Sequence, residues 1–128
     1  MLSPVTPLWC LLIAGIMPYS VLFFAKSSKE YDNEYPRNMK AYQTPVRRRA
    51  HAAHQNSFEA FGLFAAAVLL ALFQHVAPTT LSGLTILWVL LRVLYFVMYL
   101  TGKSTLRSLV WVAATATSIA IFLEAIFV

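Results

Sequence analysis

The sequence predicts an all-α fold, an integral membrane four-helix bundle, and three observations lead there. Of 128 residues, 59% are hydrophobic and 12% are charged, against roughly 25% charged in a soluble domain. A soluble chain this short could not enclose so much apolar surface, so lipid must cover part of it. The apolar residues fall into four runs, each near the roughly 20 residues that span a bilayer. Of the ten Lys and Arg residues, only Arg92 stands deep inside a run, and the other nine crowd into two stretches, 26–49 and 103–107, between runs or at their ends. A net charge of +5 placed this way is a topology signal and not a phosphate-binding stripe, which argues against a nucleic-acid partner.

The length allows one domain, residues 1–128, with no soluble module beside the helices. The expected spans are about 7–24, 48–75, 81–100 and 105–128. In the first, Pro18 is an expected kink. No basic segment precedes this run and no small-residue cleavage site follows it, so it reads as a retained span rather than a signal peptide. Cys10 within it is a packing residue. The second run is longer than the hydrocarbon core at about 1.5 Å per residue, so its first turns should project into the interface.

Between the first two runs lies the substantial loop, carrying Lys26, Lys29, Arg37, Lys40 and Arg47–Arg49 against Glu30, Asp32 and Glu34. The turn after the second run, Ala77–Thr80, has no charge, whereas Thr101–Ser104 is tight and basic. There Gly102 suits a helix C-terminus, and Ser104 or Thr105 could cap the next helix. With four spans, residues 26–49 and 101–104 share one face of the membrane. The positive-inside rule makes that face cytoplasmic and puts both termini outside.

Ionisable groups inside spans cost several kcal/mol unless paired or hydrated, so they are functional candidates. At about 100° per residue, Arg49, Ala52, Asn56 and Glu59 share one face of the second helix. Arg92, Tyr95 and Tyr99 share a face of the third, and Lys103 continues it. Counted from the cytoplasmic ends, Glu59 lies roughly 15 Å deep and Arg92 roughly 12 Å. An antiparallel register that pairs Glu59 with Arg92 also sets Asn56 beside Tyr95 and Ala52 beside Tyr99. Two readings stand: an ion pair that fixes helix register, or a polar cavity for a zwitterionic ligand.

His51 and His54 are spaced by three, but His54 points about 140° from Arg49 and no carboxylate or cysteine completes a metal set. His75 is expected at the outer interface. Trp9, Trp88 and Trp111 read as lipid-facing or packing aromatics, and Glu124 as a snorkelling residue. The Arg47–Arg49 triple reads as a lipid-headgroup signal.

The stretch from Arg49 to Glu59, RAHAAHQNSFE, resembles the second-helix signature of the MAPEG superfamily, the membrane-associated proteins of eicosanoid and glutathione metabolism. Arg92, Tyr95 and Tyr99 followed by Gly102-Lys103 are similar to the family's third helix. Arg107-Ser108 resembles the opening of the fourth helix in its glutathione-dependent members. The likeness is to a bacterial-type member and covers essentially the whole chain, which implies a homotrimer in a bacterial inner membrane. It further implies glutathione bound between subunits near the cytoplasmic face. Asn56, Glu59, Arg92, Tyr95 and Tyr99 would hold the tripeptide, Arg107 would stabilise its thiolate, and Ser108 would offer a hydrogen bond. The chain departs from the family at Ala52 and Gln55, where relatives carry basic residues. Arg48 and Arg49, one turn nearer the cytoplasm, could supply the missing charge.

A free thiol has a pKa of about 8.5. A neighbouring arginine favours the thiolate without giving up its own proton. The implied function is therefore glutathione S-transfer to, or glutathione-dependent peroxide reduction of, hydrophobic or lipid-like electrophiles entering from the bilayer. A non-catalytic lipid-binding or scaffold protein of the same fold is the first alternative, since the family contains one such member. A small multidrug transporter is the second, although the first span lacks the intramembrane Glu such proteins carry there.

Overall fold

The computed structural model describes residues 5–26, 34 and 44–128. Helices α1 (Thr6–Lys26), α2 (Pro45–Phe73), α3 (Pro78–Leu100) and α4 (Ser104–Ile126) follow one another in the chain. Of the charged loop, Lys29, Glu30, Asp32, Arg37 and Lys40 lie outside the described residues. All four helices are long and apolar enough to cross a membrane. Large apolar side chains such as Trp9, Phe23, Leu109 and Phe127 stay exposed on the chain's outer faces, the surface that lipid would cover.

The helix limits follow local chemistry that hydropathy does not report. α2 begins at Pro45, ahead of the expected residue 48, because Thr44 caps it: its Oγ1 accepts from the Arg47 N–H at 3.3 Å, and Pro45 occupies the first turn. α3 likewise starts on a proline, Pro78, with Ala77 before it. At α4 the expected Ser104 or Thr105 cap is replaced by Lys103, whose side chain makes no capping bond. α1 runs continuously through Pro18.

Two helix ends close with the same motif. After α3, Gly102 takes φ 76°, its N–H donates to the Tyr99 carbonyl and that of Lys103 to the Met98 carbonyl. This 6→1 and 5→2 pattern is a Schellman turn, and it needs a left-handed residue. After α2 the same pair of bonds runs from His75 to Leu72 and from Val76 to Ala71. There the left-handed residue is His75, at φ 60°, with Val76 buried behind it. A β-carbon in this conformation costs roughly 1 kcal/mol relative to glycine. His75→Gly should therefore stabilise the protein by about that much in denaturant unfolding, and a destabilised variant would show that the imidazole itself anchors the turn.

α1 packs on α2 and α3, and α4 on α2 and α3. α2 and α3 also touch across the bundle, whereas α1 and α4 do not among the described residues. Ala50, Ala53, Ala67 and Ala71 bring α2 close to its neighbours with no exposed surface of their own, as small residues do in membrane bundles. One apolar cluster joins Phe64, Val68, Leu81, Trp88 and Ile121. A smaller one, nearer the Gly102 end, joins Val21, Ala53, Tyr95 and Phe96. The Phe64 and Trp88 rings stack at 3.8 Å between centroids and hold α2 against α3. Between the two clusters lies Arg92.

Candidate functional site

Arg92 is 1% exposed. An arginine at the centre of a span costs about 2.5–3.5 kcal/mol on insertion scales, and several neighbours offset that cost. Its Nη2 donates to Asn56 Oδ1 at 3.0 Å and to Ser57 Oγ at 3.3 Å. Because a guanidinium can only donate, the Asn56 amide must present its oxygen. Ser57 can only accept from Arg92, since its own hydroxyl proton is donated to the Ala53 carbonyl at 2.7 Å. The guanidinium carbon lies 4.0 Å from the Tyr95 ring centre, a cation–π contact worth about 0.5–2 kcal/mol.

Of the two readings of Glu59 and Arg92, the direct ion pair is not formed, although both residues line one small cavity. Glu59 is exposed and lines an open groove, while the guanidinium is taken one turn along α2 by Asn56 and Ser57. The antiparallel alignment of the two helices is as read from the sequence; the long, flexible arginine side chain chooses a different level within it.

Beyond Tyr95 the aromatic contacts continue. Tyr95 meets Tyr99 edge-on at 5.5 Å, and the guanidinium carbon of Arg107 lies 4.8 Å from the Tyr99 ring centre. Two tyrosines from α3 are thus held between an arginine of their own helix and an arginine of α4. The tight Gly102 turn makes this possible, because it returns the chain so that α4's first turns lie beside α3's last ones.

The groove itself encloses about 610 Å³. One wall is α2, through Ala52, Gln55, Asn56 and Glu59. Tyr95 and Tyr99 contribute from α3, and Arg107, Ser108 and Trp111 form the α4 wall. Six expected site residues therefore meet: Asn56, Glu59, Tyr95, Tyr99, Arg107 and Ser108. Three stand elsewhere. Arg92 lies beneath the groove, along a smaller cavity. Arg48 is exposed at the start of α2 and is not part of the groove wall. Arg49 turns to the end of α3, where its Nη2 donates to the Leu100 carbonyl at 3.2 Å. A cation there is favoured by the helix dipole.

Two groove features escape a reading by polar residues alone. Trp111, expected to face lipid or pack, is a wall residue; its position one turn after Arg107 carried that signal. Ser57 is the second acceptor for Arg92; it adjoins Asn56 in the polar stretch Gln55–Glu59, and that adjacency was the available signal. His54 is held on α1, its Nδ1 within hydrogen-bond distance of the Pro18 carbonyl at 2.9 Å and its ring edge-on to Phe58 at 4.9 Å.

Fold and site together define an integral membrane protein of four helices, with a polar groove between α2 and α4 that is walled by an arginine and a carboxylate. The model of the MAPEG family matches residues 6–127, and the chain belongs to the MAPEG family. No match was found among the curated proteins or among the solved structures.

Proposed function

We propose that the protein is a glutathione-dependent membrane enzyme, a transferase or peroxidase acting on hydrophobic electrophiles, with glutathione lying in the α2–α4 groove. The observation that carries this reading is the placement of Arg107 and Ser108 on one wall and Asn56 and Glu59 on the other. A tripeptide with an ammonium, two carboxylates and a thiol meets a carboxylate for the first and a cation for an anion. The groove's 610 Å³ falls within the roughly 300–1,000 Å³ of small-molecule sites. MAPEG membership supports glutathione as the thiol.

In transfer, the thiolate sulfur bonds to the electrophilic carbon as the leaving group departs with the bonding pair. In peroxide reduction, two thiols supply two electrons and two protons, giving alcohol, water and a disulfide. The test is glutathione binding by calorimetry on detergent-purified protein, followed by conjugation of a hydrophobic aryl halide. Absence of binding would remove the reading. Binding without turnover would favour a non-catalytic binding protein, the second reading, for which Ala52 and Gln55 speak: both line the groove, so its α2 wall carries no cation.

The same reading places residues 101–104 on the cytoplasmic face of an inner membrane, three copies assembling around their exposed apolar faces. With Cys10 replaced, a cysteine at Lys103 should react with an impermeant thiol reagent from the cytoplasmic side and one at Thr79 from the opposite side. Labelling of both positions from one side would refute the four-span orientation.

A further inference from the structure

Beneath the groove lies a second, more enclosed cavity of about 140 Å³, bounded by Glu59, Trp88, Arg92, Trp111, Thr115 and Ser118. We propose that this cavity binds a small monovalent anion of halide or carboxylate size, as the counter-ion of Arg92. Arg92 satisfies one guanidinium nitrogen with Asn56 and Ser57, but its Nη1 is buried with no hydrogen-bond partner. Both of its hydrogen-bond partners are neutral, and Glu59, the carboxylate on the same cavity, forms no ion pair with it, so the charge has no directly bonded counter-ion. An arginine cannot shed that charge by losing a proton.

The α4 side of the cavity supplies further donors. Thr117 spends its hydroxyl on the Ala113 carbonyl. Thr115 and Ser118, which line the cavity, make no such bond among the described residues, and Ser118 is 1% exposed. Arg92, Thr115 and Ser118 line one space, and a guanidinium with two hydroxyl side chains makes a donor set for an anion. Water would satisfy the donors and leave the charge; an anion does both. Since about 10–15 Å³ holds one water, the cavity has room for an ion with part of its hydration shell, and not for an acyl chain.

This site is separate from the groove. Arg92 does not line the groove, and Glu59, Asn56 and Trp111 form the boundary that the two spaces share. Glu59 at that boundary repels an entering anion and so weakens binding. The proposal does not depend on glutathione.

Trp88 and Trp111 make the cavity observable, because iodide quenches indole fluorescence. In detergent-purified protein carrying Trp9→Phe, iodide quenching should contain a saturable component, displaced to higher iodide by non-quenching chloride. Combined Thr115→Val and Ser118→Ala should weaken that component at least tenfold, and Arg92→Met should abolish it. The hydroxyl pair keeps the test decisive where Arg92→Met fails to fold. Glu59→Gln should strengthen it several-fold, and Arg107→Ala should leave it unchanged. Quenching that is linear and indifferent to chloride would overturn the proposal. A saturable component lost in Arg107→Ala but kept in the hydroxyl pair would also overturn it, by placing the ion in the groove.

Discussion

Arg107→Ala is expected to lower conjugation of a hydrophobic electrophile by about 10²–10³-fold, the range seen when one charge-stabilising donor is removed from an active site. Arg107 is part of the α4 wall of the groove and rests against the Tyr99 ring at 4.8 Å, so its position is set before any ligand arrives. Each unit by which it lowers a bound thiol's pKa is worth about 1.4 kcal/mol of preference for the thiolate. Glutathione mixed with the wild-type protein should therefore show thiolate ultraviolet absorbance near neutral pH, and Arg107→Ala should lose it. Binding should fall less than turnover, because Asn56 and Glu59 remain on the opposite wall. Ser108→Ala should have the smaller effect, since a neutral hydroxyl contributes less than a charge-assisted partner. Unchanged turnover in an intact Arg107→Ala protein would reduce Arg107 to an anchor at the lipid headgroups.

The second large effect concerns stability. Asn56→Ala removes the nearer of the two oxygens that Arg92 donates to and should destabilise the protein by about 1.5–3 kcal/mol, the range for hydrogen bonds to charged groups. The partner change, Arg92→Met, should be strongly non-additive with it, because the two residues share one interaction. Glu59→Gln combined with Arg92→Met should instead be close to additive, since those side chains form no ion pair. Equilibrium unfolding of both double-mutant cycles in detergent decides the matter. Coupling of Glu59 to Arg92 that exceeded the coupling of Asn56 to Arg92 would restore the ion pair and contradict the observed hydrogen bonding.

That reversal marks the limit of what the sequence conveys. Helical periodicity correctly groups Asn56 and Glu59 on one face of α2, and Arg92, Tyr95 and Tyr99 on one face of α3, because the angle per residue is nearly constant. The short turn between the two spans sets them antiparallel, and counting residues from the cytoplasmic ends brings their polar levels together. Periodicity says nothing of where a flexible arginine ends, and a guanidinium can reach either of two neighbouring turns. The four helices were legible from apolar run length alone, yet their ends were not. Thr44 and Pro45 extend α2 toward its start through capping, and His75 ends it in a conformation that residue type does not advertise. In the site, Arg107 and Ser108 stood out through family likeness, whereas Trp111 was hidden by the ordinary abundance of tryptophan in spans. The departures at Ala52 and Gln55 were visible in the sequence, but only the groove shows that both line its α2 wall.

The chain order of Arg92 and its acceptors bears on how the protein is made. Asn56 and Ser57 belong to α2 and Arg92 to α3, so a ribosome delivers both oxygens to the membrane before the cation that needs them. α3 on its own would enter lipid carrying an unsolvated guanidinium, at the insertion cost given above. Entering beside α2, it finds the two oxygens and the small-residue surface of Ala50 and Ala53 already waiting. Synthesis in this direction spares the nascent chain a stage in which this buried charge faces hydrocarbon, and a permuted chain that emitted α3 first would have to pass through it.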